Sequence, residues 1–133
     1  MKRSIYLLSL IFLLACKDSG ELDLSFPIFE VSSVAINSTT SITVDVDFIH
    51  VGTTEIIQHG FVWDWTRSPS LGTFQNPSTG RGFLFINGSP DFNGYSEEIE
   101  TSFSRGQRHL IRAFVITASD TTYSTTRSVT PNP

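Results

Sequence analysis

The segment 41–48 alternates polar and apolar residues with a strict period of two. Successive side chains of a β-strand point to opposite faces of its sheet, so this pattern predicts a half-buried strand. The face that carries Asp45 and Asp47 should meet solvent. The opposite face should point into the core, and it carries Ile42, Val44, Val46 and Phe48.

Other parts of the chain also have the character of strands. Segment 109–117 is almost continuously apolar, as expected for a central strand that is covered on one face and flanked on both sides. No stretch after the N-terminal region places apolar residues at helical spacing over three turns. Together these patterns predict an all-β domain, a seven-stranded antiparallel β-sandwich over residues 28–131. Further strand candidates are 60–65, 82–86, 95–103 and 122–130.

The N-terminus has the pattern of a targeting segment. Lys2 and Arg3 precede an apolar run at 5–14, which small Ala15 separates from Cys16, the only cysteine of the chain. A helix needs about 20 apolar residues to cross a bilayer, and this run is much shorter. The pattern therefore predicts a cleaved signal peptide.

The residues Leu13-Leu14-Ala15-Cys16 resemble the lipobox of bacterial lipoproteins. The resemblance implies a diacylglyceryl group on the Cys16 thiol, cleavage between Ala15 and Cys16, and acylation of the freed amine. Two acyl chains suffice for stable anchoring. The implied organisation is a signal peptide at 1–15, a lipidated polar tether at 16–27 and the sandwich at 28–131. The alternative is an ordinary secretory signal in which Cys16 is incidental.

The residues after Cys16 bear on location. Segment 17–23, KDSGELD, resembles the surface-export signals of some Gram-negative lipoproteins. Retention in the inner membrane of enteric bacteria requires Asp directly after the cysteine, and Lys17 stands there instead. The expected location is the outer membrane, at the cell surface. A polar tether of this composition is equally compatible with the periplasmic face.

Charge and cysteine content exclude some classes of function. Loss of Lys2 and Arg3 with the signal leaves seven basic residues against 13 acidic ones, a formal charge of −6. Nucleic-acid binding requires clustered Lys and Arg, so a nucleic-acid partner is not expected. Because lipid would occupy the one thiol, no disulfide can stabilise the domain, and the apolar core must do so alone.

Three segments resemble fibronectin type III-like domains of bacterial cell-surface lipoproteins. They are IIQHGFVW at 56–63 with SPSL at 68–71, FSRGQRHLIRAF at 103–114, and TTYS at 121–124. The resemblance implies an immunoglobulin-like sandwich that serves as a spacer or binding module, with no fixed ligand. His109 stands where this family has the tyrosine of its tyrosine corner. Its ring is therefore expected near the turn before the sixth strand, close to 103–105.

Candidate chemistry is sparse. No Ser lies in a G-x-S-x-G setting, and no catalytic residue, cofactor or metal site is expected. The three histidines fall on different strands or strand ends, with no helical pair, so a zinc site is not expected, and His59 and His109 should occupy sheet faces or edges. Asp45 and Asp47 share a face and could contribute to a calcium site with Asp91 or Asp120, although a solvated strand face explains them more simply. The histidines are His50, His59 and His109.

Aromatic residues are the remaining functional signal. Trp63 is the expected centre of the core, whereas Trp65 borders a polar turn and should be partly exposed. The segment 67–95 either forms a binding surface at one end of the sandwich or packs down as an extra hairpin. The candidate ligand-binding residues are Trp65, Phe74, Phe92 and Tyr95.

Two classes of function remain at this stage. The first is a non-catalytic module of the cell envelope, anchored to the outer membrane through lipid on Cys16, that acts as spacer, scaffold or assembly subunit. The second is a surface lipoprotein of a nutrient-uptake system that binds carbohydrate on exposed aromatic rings. The first would have a protein partner and the second a glycan partner. Buried aromatic residues would favour the first class, and exposed ones the second.

Overall fold

Eight β-strands make up the regular structure of the residues that the computed structural model describes, which are 24–65, 69–70, 81–103 and 105–131. No helix occurs in these ranges. The strands are β1 (Ile28–Ile36), β2 (Ser41–His50), β3 (Ile56–Asp64), β4 (Gly82–Asn87), β5 (Tyr95–Glu100), β6 (His109–Thr117), β7 (Thr121–Tyr123) and β8 (Arg127–Val129).

The strands form two antiparallel sheets. The first sheet has the order β1-β2-β5. In the second, β4, β3 and β6 are neighbours, and both β7 and β8 pair with β6. Apolar residues of the two sheets pack into one buried core, as in a β-sandwich. The predicted all-β, antiparallel fold is confirmed at this level.

The predicted number of seven strands is wrong, because the last segment forms two short strands in place of one. Ser124 separates them. Its Oγ accepts the backbone N–H of Ala113 at 3.0 Å, and its own N–H donates to the Ala113 carbonyl at 3.0 Å. A side-chain hydroxyl thus replaces the backbone carbonyl that a continuous ladder would supply at this point.

The alternation along β2 has the predicted register. Ile42, Val44 and Val46 are buried in the core, and Phe48 packs against its edge. Asp47 is exposed and Asp45 is half-buried on the other face. The second sheet contributes the facing side of the core, chiefly with Phe61, Trp63, Ile111, Ala113 and Val115.

The outer face of the second sheet carries a separate aromatic cluster. Phe114 is fully buried although it lies on the opposite face of β6 from the core residues Ala113 and Val115. Phe85 meets it edge-on, with 5.3 Å between ring centroids. Gly60 is the cross-strand partner of Phe114, and a Cβ at that glycine would lie 3.0 Å from the ring. The sixth strand is therefore covered on both faces at this point, and not on one face as its sequence predicted.

Different loops lie at the two ends of the sandwich. At the end where the chain enters, the Ser25 carbonyl accepts the N–H groups of Thr53 and Thr54. This entry end also contains the β4–β5 loop, because β4 runs towards it and β5 starts there. The far end contains the β1–β2 turn and the β5–β6 loop, which are joined by a hydrogen bond of 2.9 Å from the Thr101 N–H to the Thr40 carbonyl.

Candidate functional site

Trp65 lies at the far end, directly after β3. Its side chain is 40% exposed, in agreement with the expectation from the polar residues that follow it. Its backbone N–H donates to Asp64 Oδ1 at 2.7 Å, and Asp64 is fully buried. This bond fixes the backbone at the point where the chain leaves the sheet.

Phe92 lies at the entry end, in the loop between β4 and β5. Its ring is 38% exposed and meets Phe48 edge-on, with 5.3 Å between centroids. Asp91 orders this loop, because its Oδ1 accepts the backbone N–H of Asn93 at 2.9 Å. One side of the Phe92 ring thus covers the edge of the core, and the other remains accessible.

Tyr95 points into the sandwich. Its ring lies 5.0 Å from the His59 ring and 5.8 Å from the Phe61 ring, measured between centroids. Burial raises the pKa of its phenol well above the ordinary value, and the charge of Glu97 adds to the rise. The ring is therefore part of the packing between the sheets.

These positions do not form one site in the described part of the chain. Trp65 follows the last residue of β3, whereas Phe92 belongs to the loop beside its first residue. The nine residues of β3 separate them by roughly 30 Å at about 3.3 Å per residue. Phe74 lies outside the described residues. A ligand of the size of one sugar ring cannot contact both Trp65 and Phe92.

The histidines are structural. His59 and His109 are both buried, where the sequence suggested sheet faces or edges. His59 Nδ1 donates to the Gly88 carbonyl at 2.8 Å, and His50 Nε2 donates to the Leu24 carbonyl at 2.8 Å. The His109 ring meets the Phe103 ring edge-on at 4.9 Å, so its predicted position near 103–105 is confirmed.

The carboxylates of β2 also have structural partners. Asp45 accepts a hydrogen bond from Ser33 on β1, and this bond together with a second one from Ser96 lowers the pKa of its carboxyl group. Asp91 is used within its own loop, and Asp120 Oδ1 accepts the Thr121 N–H at 2.7 Å. Within the described ranges, no three His, Cys, Asp or Glu side chains are placed to hold a metal ion.

A cleft that the sequence did not indicate opens between β4 and β5. These are the last strands of the two sheets on the same side of the sandwich. The cleft has a volume of about 310 Å³ and is lined by Trp63, Phe83, Leu84, Glu98, Ile99 and Glu100. Strand periodicity could assign each residue to a face of its own sheet. It could not reveal that these two edges lie side by side.

The candidate lipidation residue Cys16 and the cleavage site after Ala15 lie outside the described residues. Over the part of the chain that is described, there is no helix with the length and apolar character needed to cross a bilayer.

Comparison with known proteins finds no protein-family model and no curated protein that matches the chain. It is similar to a solved structure titled "Myokine structure", with a TM-score of 0.49 and 9% sequence identity over 82% of this chain and 98% of that one.

Proposed function

We propose that the protein is a non-catalytic, lipid-anchored module of the cell envelope, held in the outer membrane through acylated Cys16 and acting as a spacer, scaffold or assembly subunit. The observation that carries the proposal is the N-terminal pattern, in which Lys2 and Arg3, a short apolar run, Ala15 and the single cysteine follow in order. A domain without a second cysteine has no disulfide use for that thiol.

The arrangement of the strands supports a fibronectin type III-like identity for the sandwich. The three segments that resemble this family cover most of β3, the first six residues of β6 and all of β7. His109 begins β6 and packs against Phe103, at the place where the family has its corner tyrosine. Such domains serve as spacers or binding modules, which agrees with the proposed role.

The entry end supports an orientation with that end towards the membrane. Among the described residues, eight large apolar side chains are exposed, and five of them lie at this end. Leu24, whose carbonyl accepts a hydrogen bond from His50, is only eight positions after Cys16, so a fully extended chain between them would reach at most about 29 Å at 3.6 Å per residue. Apolar side chains so close to an anchored lipid can contact the bilayer interface. They are Leu24, Ile49, Val51, Ile57 and Phe92.

The scaffold role fits the geometry better than the carbohydrate role. Stacking on a sugar needs exposed aromatic rings within reach of one another. Trp65 and Phe92 lie at opposite ends, and Tyr95 is turned inward. A glycan array probed with the wild-type chain and with Trp65→Ala separates the two roles, because only the carbohydrate role predicts a signal that depends on Trp65.

The anchor is tested by metabolic labelling with a fatty-acid analogue. We expect the wild-type chain to carry the label and Cys16→Ser to lack it. Lys17→Asp is the matched control, because it keeps Cys16 and changes only the sorting residue. It should keep the label and move to the inner membrane fraction. Equal labelling of the wild type and Cys16→Ser would overturn the anchor.

Cleavage of the tether by protease added to intact cells tests the side of the membrane. Loss of the intact protein under these conditions is the result expected for a surface position. Protection until the outer membrane is permeabilised would place the domain on the periplasmic face.

A further inference from the structure

Trp63, which lines the cleft between β4 and β5, carries a hydrogen-bond donor without a partner. The residue is 5% exposed, and its Nε1–H is itself buried and has no hydrogen-bond partner among the described residues. Buried polar groups are paired in the great majority of native structures, and each exception calls for an explanation. An acceptor supplied from outside the chain would satisfy this donor.

The β4 edge is suited to pairing with another strand. No other described strand pairs with the side of β4 that faces away from β3. The strand, GFLFIN, has no charged residue, and the Phe85 side chain on it is 43% exposed. Edge strands usually carry charges, prolines or bulges that block additional pairing. An apolar edge without them is the surface that strand addition uses.

The charges beside the cleft specify the partner. Glu98 and Glu100 line it from the β5 side. A second copy of this acidic chain would bring its own carboxylates close to these two, so self-pairing along β4 is unfavourable. Basic side chains would instead gain from proximity to both glutamates. Arg81, directly before β4, lies outside the set of residues that line the cleft.

We propose that the β4 edge and the adjoining cleft bind an extended, basic segment of a partner protein. The segment adds to β4 as a strand, places an apolar side chain between Trp63 and Ile99, provides an acceptor for the Trp63 Nε1–H, and pairs its Lys or Arg residues with Glu98 and Glu100. Backbone hydrogen bonds would supply affinity, and the cleft would supply specificity. The proposal rests on the scaffold role proposed above but does not require the lipid anchor.

Indole NMR signals provide a direct test. The chain has two tryptophans, so a spectrum of the ¹⁵N-labelled processed chain in detergent micelles contains two indole N–H signals, which Trp65→Phe assigns. The probe is a short blocked peptide of alternating lysine and valine, and a glutamate–valine peptide is its charge-reversed control. We expect the lysine peptide to shift the Trp63 indole signal and the amide signals of 82–87, and the glutamate peptide to shift neither.

Two charge reversals separate the site from general attraction to an acidic surface. Glu100→Lys changes the cleft, whereas Glu30→Lys changes the net charge equally on β1, at the opposite edge of the first sheet. Glu100→Lys should weaken binding of the lysine peptide severalfold, and Glu30→Lys should leave it nearly unchanged. Both glutamates are exposed, so neither reversal should prevent folding.

Three outcomes would overturn the proposal. They are the absence of a Trp63 shift at millimolar peptide, equal weakening by both charge reversals, and a concentration-dependent dimer whose interface includes 82–87. The scaffold role can fail independently of this proposal. That role specifies neither where a partner strand binds nor which charge the strand carries. Loss of fatty-acid labelling would leave these spectra unaffected.

Discussion

Strands β4 and β5 end their sheets on the same side of the sandwich, but they differ in how they resist additional pairing. β5 reads YSEEIE, and three of its six residues are glutamates. Glu97 lies on the same face as Tyr95 and Ile99, so it is an inward-directed charge, while Glu98 and Glu100 are exposed. Edge strands with these features do not readily accept a further strand. β4 reads GFLFIN and has none of them.

The difference shows that the two edges have different constraints. β5 can carry charges because its outer positions are solvated, while Tyr95 and Ile99 provide its packing against the core. β4 contributes apolar residues to both faces, since Leu84 packs against the core and Phe85 packs on Phe114. A charge at either position would remove packing. The protein therefore keeps β4 apolar, and no described strand pairs with its outer edge.

The largest expected effect concerns the attachment of β4 to β3. A Cβ at Gly60 would lie 1.8 Å from the Leu84 carbonyl oxygen, and the glycine has a φ of 156°. Gly60→Ala should therefore force the two strands apart and lower the free energy of unfolding by about 3 kcal/mol or more. A urea melt followed by circular dichroism measures the change.

Gly88→Ala is the matched control for that substitution. Gly88 also has a positive φ, 88°, but a Cβ there would meet nothing within 4 Å. Only backbone strain should be added, which amounts to about 1–2 kcal/mol. Equal losses in the two variants would show that the close approach of β3 and β4 has no energetic weight.

The second prediction removes the charges from the β5 edge. Glu98→Thr combined with Glu100→Thr should make the chain aggregate faster in a light-scattering assay. The glutamate substitutions are at exposed positions and should change the free energy of unfolding by less than about 0.5 kcal/mol. No change in aggregation after loss of both glutamates would mean that these charges do not protect β5.

The smallest expected effect concerns the pKa values of two carboxyl groups, those of Glu98 and Asp45. Hydrogen bonds from Ser41 and then Asn37 lower the pKa of Glu98, as those from Ser33 and then Ser96 lower the pKa of Asp45. Because the folded-state pKa is lowered in both cases, each carboxylate adds stability above its unfolded pKa. That stability is lost as the pH falls through the folded-state value.

NMR titration of the side-chain carboxyl signals checks this with two reciprocal variants. Ser41→Ala should raise the pKa of Glu98 towards its ordinary value and leave the pKa of Asp45 unchanged. Ser96→Ala should raise the pKa of Asp45 and leave the pKa of Glu98 unchanged. A shift of both carboxyl groups in either variant would indicate a general change of the first sheet instead of loss of one hydrogen bond.

The sequence predicted features that depend on local periodicity. The alternation along 41–48 determined which side chains of β2 are buried, because one face of that strand meets the core and the other meets water. It did not predict the interruption at Ser124, since that depends on a hydroxyl reaching Ala113 on a neighbouring strand. The burial of Phe114 on the outer face was also missed, because it requires a glycine opposite the ring.

The candidate ligand residues show the same limit. Tyr95 and Phe92 are close in sequence, but one begins a strand and turns inward while the other lies in a loop and stays exposed. Which residues end up at the same end of the sandwich follows from the order of the strands. Trp65 and Phe92 border or belong to one segment of the sequence, but the order of the strands places them at opposite ends of the sandwich. Trp63 and Ile99 are far apart in sequence, and yet they line one cleft from different sheets.

The hydrogen bonds of Ser25 have a mechanical consequence. Its carbonyl accepts the N–H groups of Thr53 and Thr54 and the Thr54 hydroxyl, at 3.0, 3.1 and 2.9 Å. The Leu24 carbonyl, one residue earlier, accepts a hydrogen bond from His50 on β2. If Cys16 is anchored as proposed, tension along the tether reaches this bond first and the Ser25 bonds next. Once both have opened, the force acts on the Ile28–His50 end of the β1–β2 ladder and peels β1 away pair by pair. The first resistance to pulling would then come from the bond at Leu24 and the three bonds to the Ser25 carbonyl oxygen.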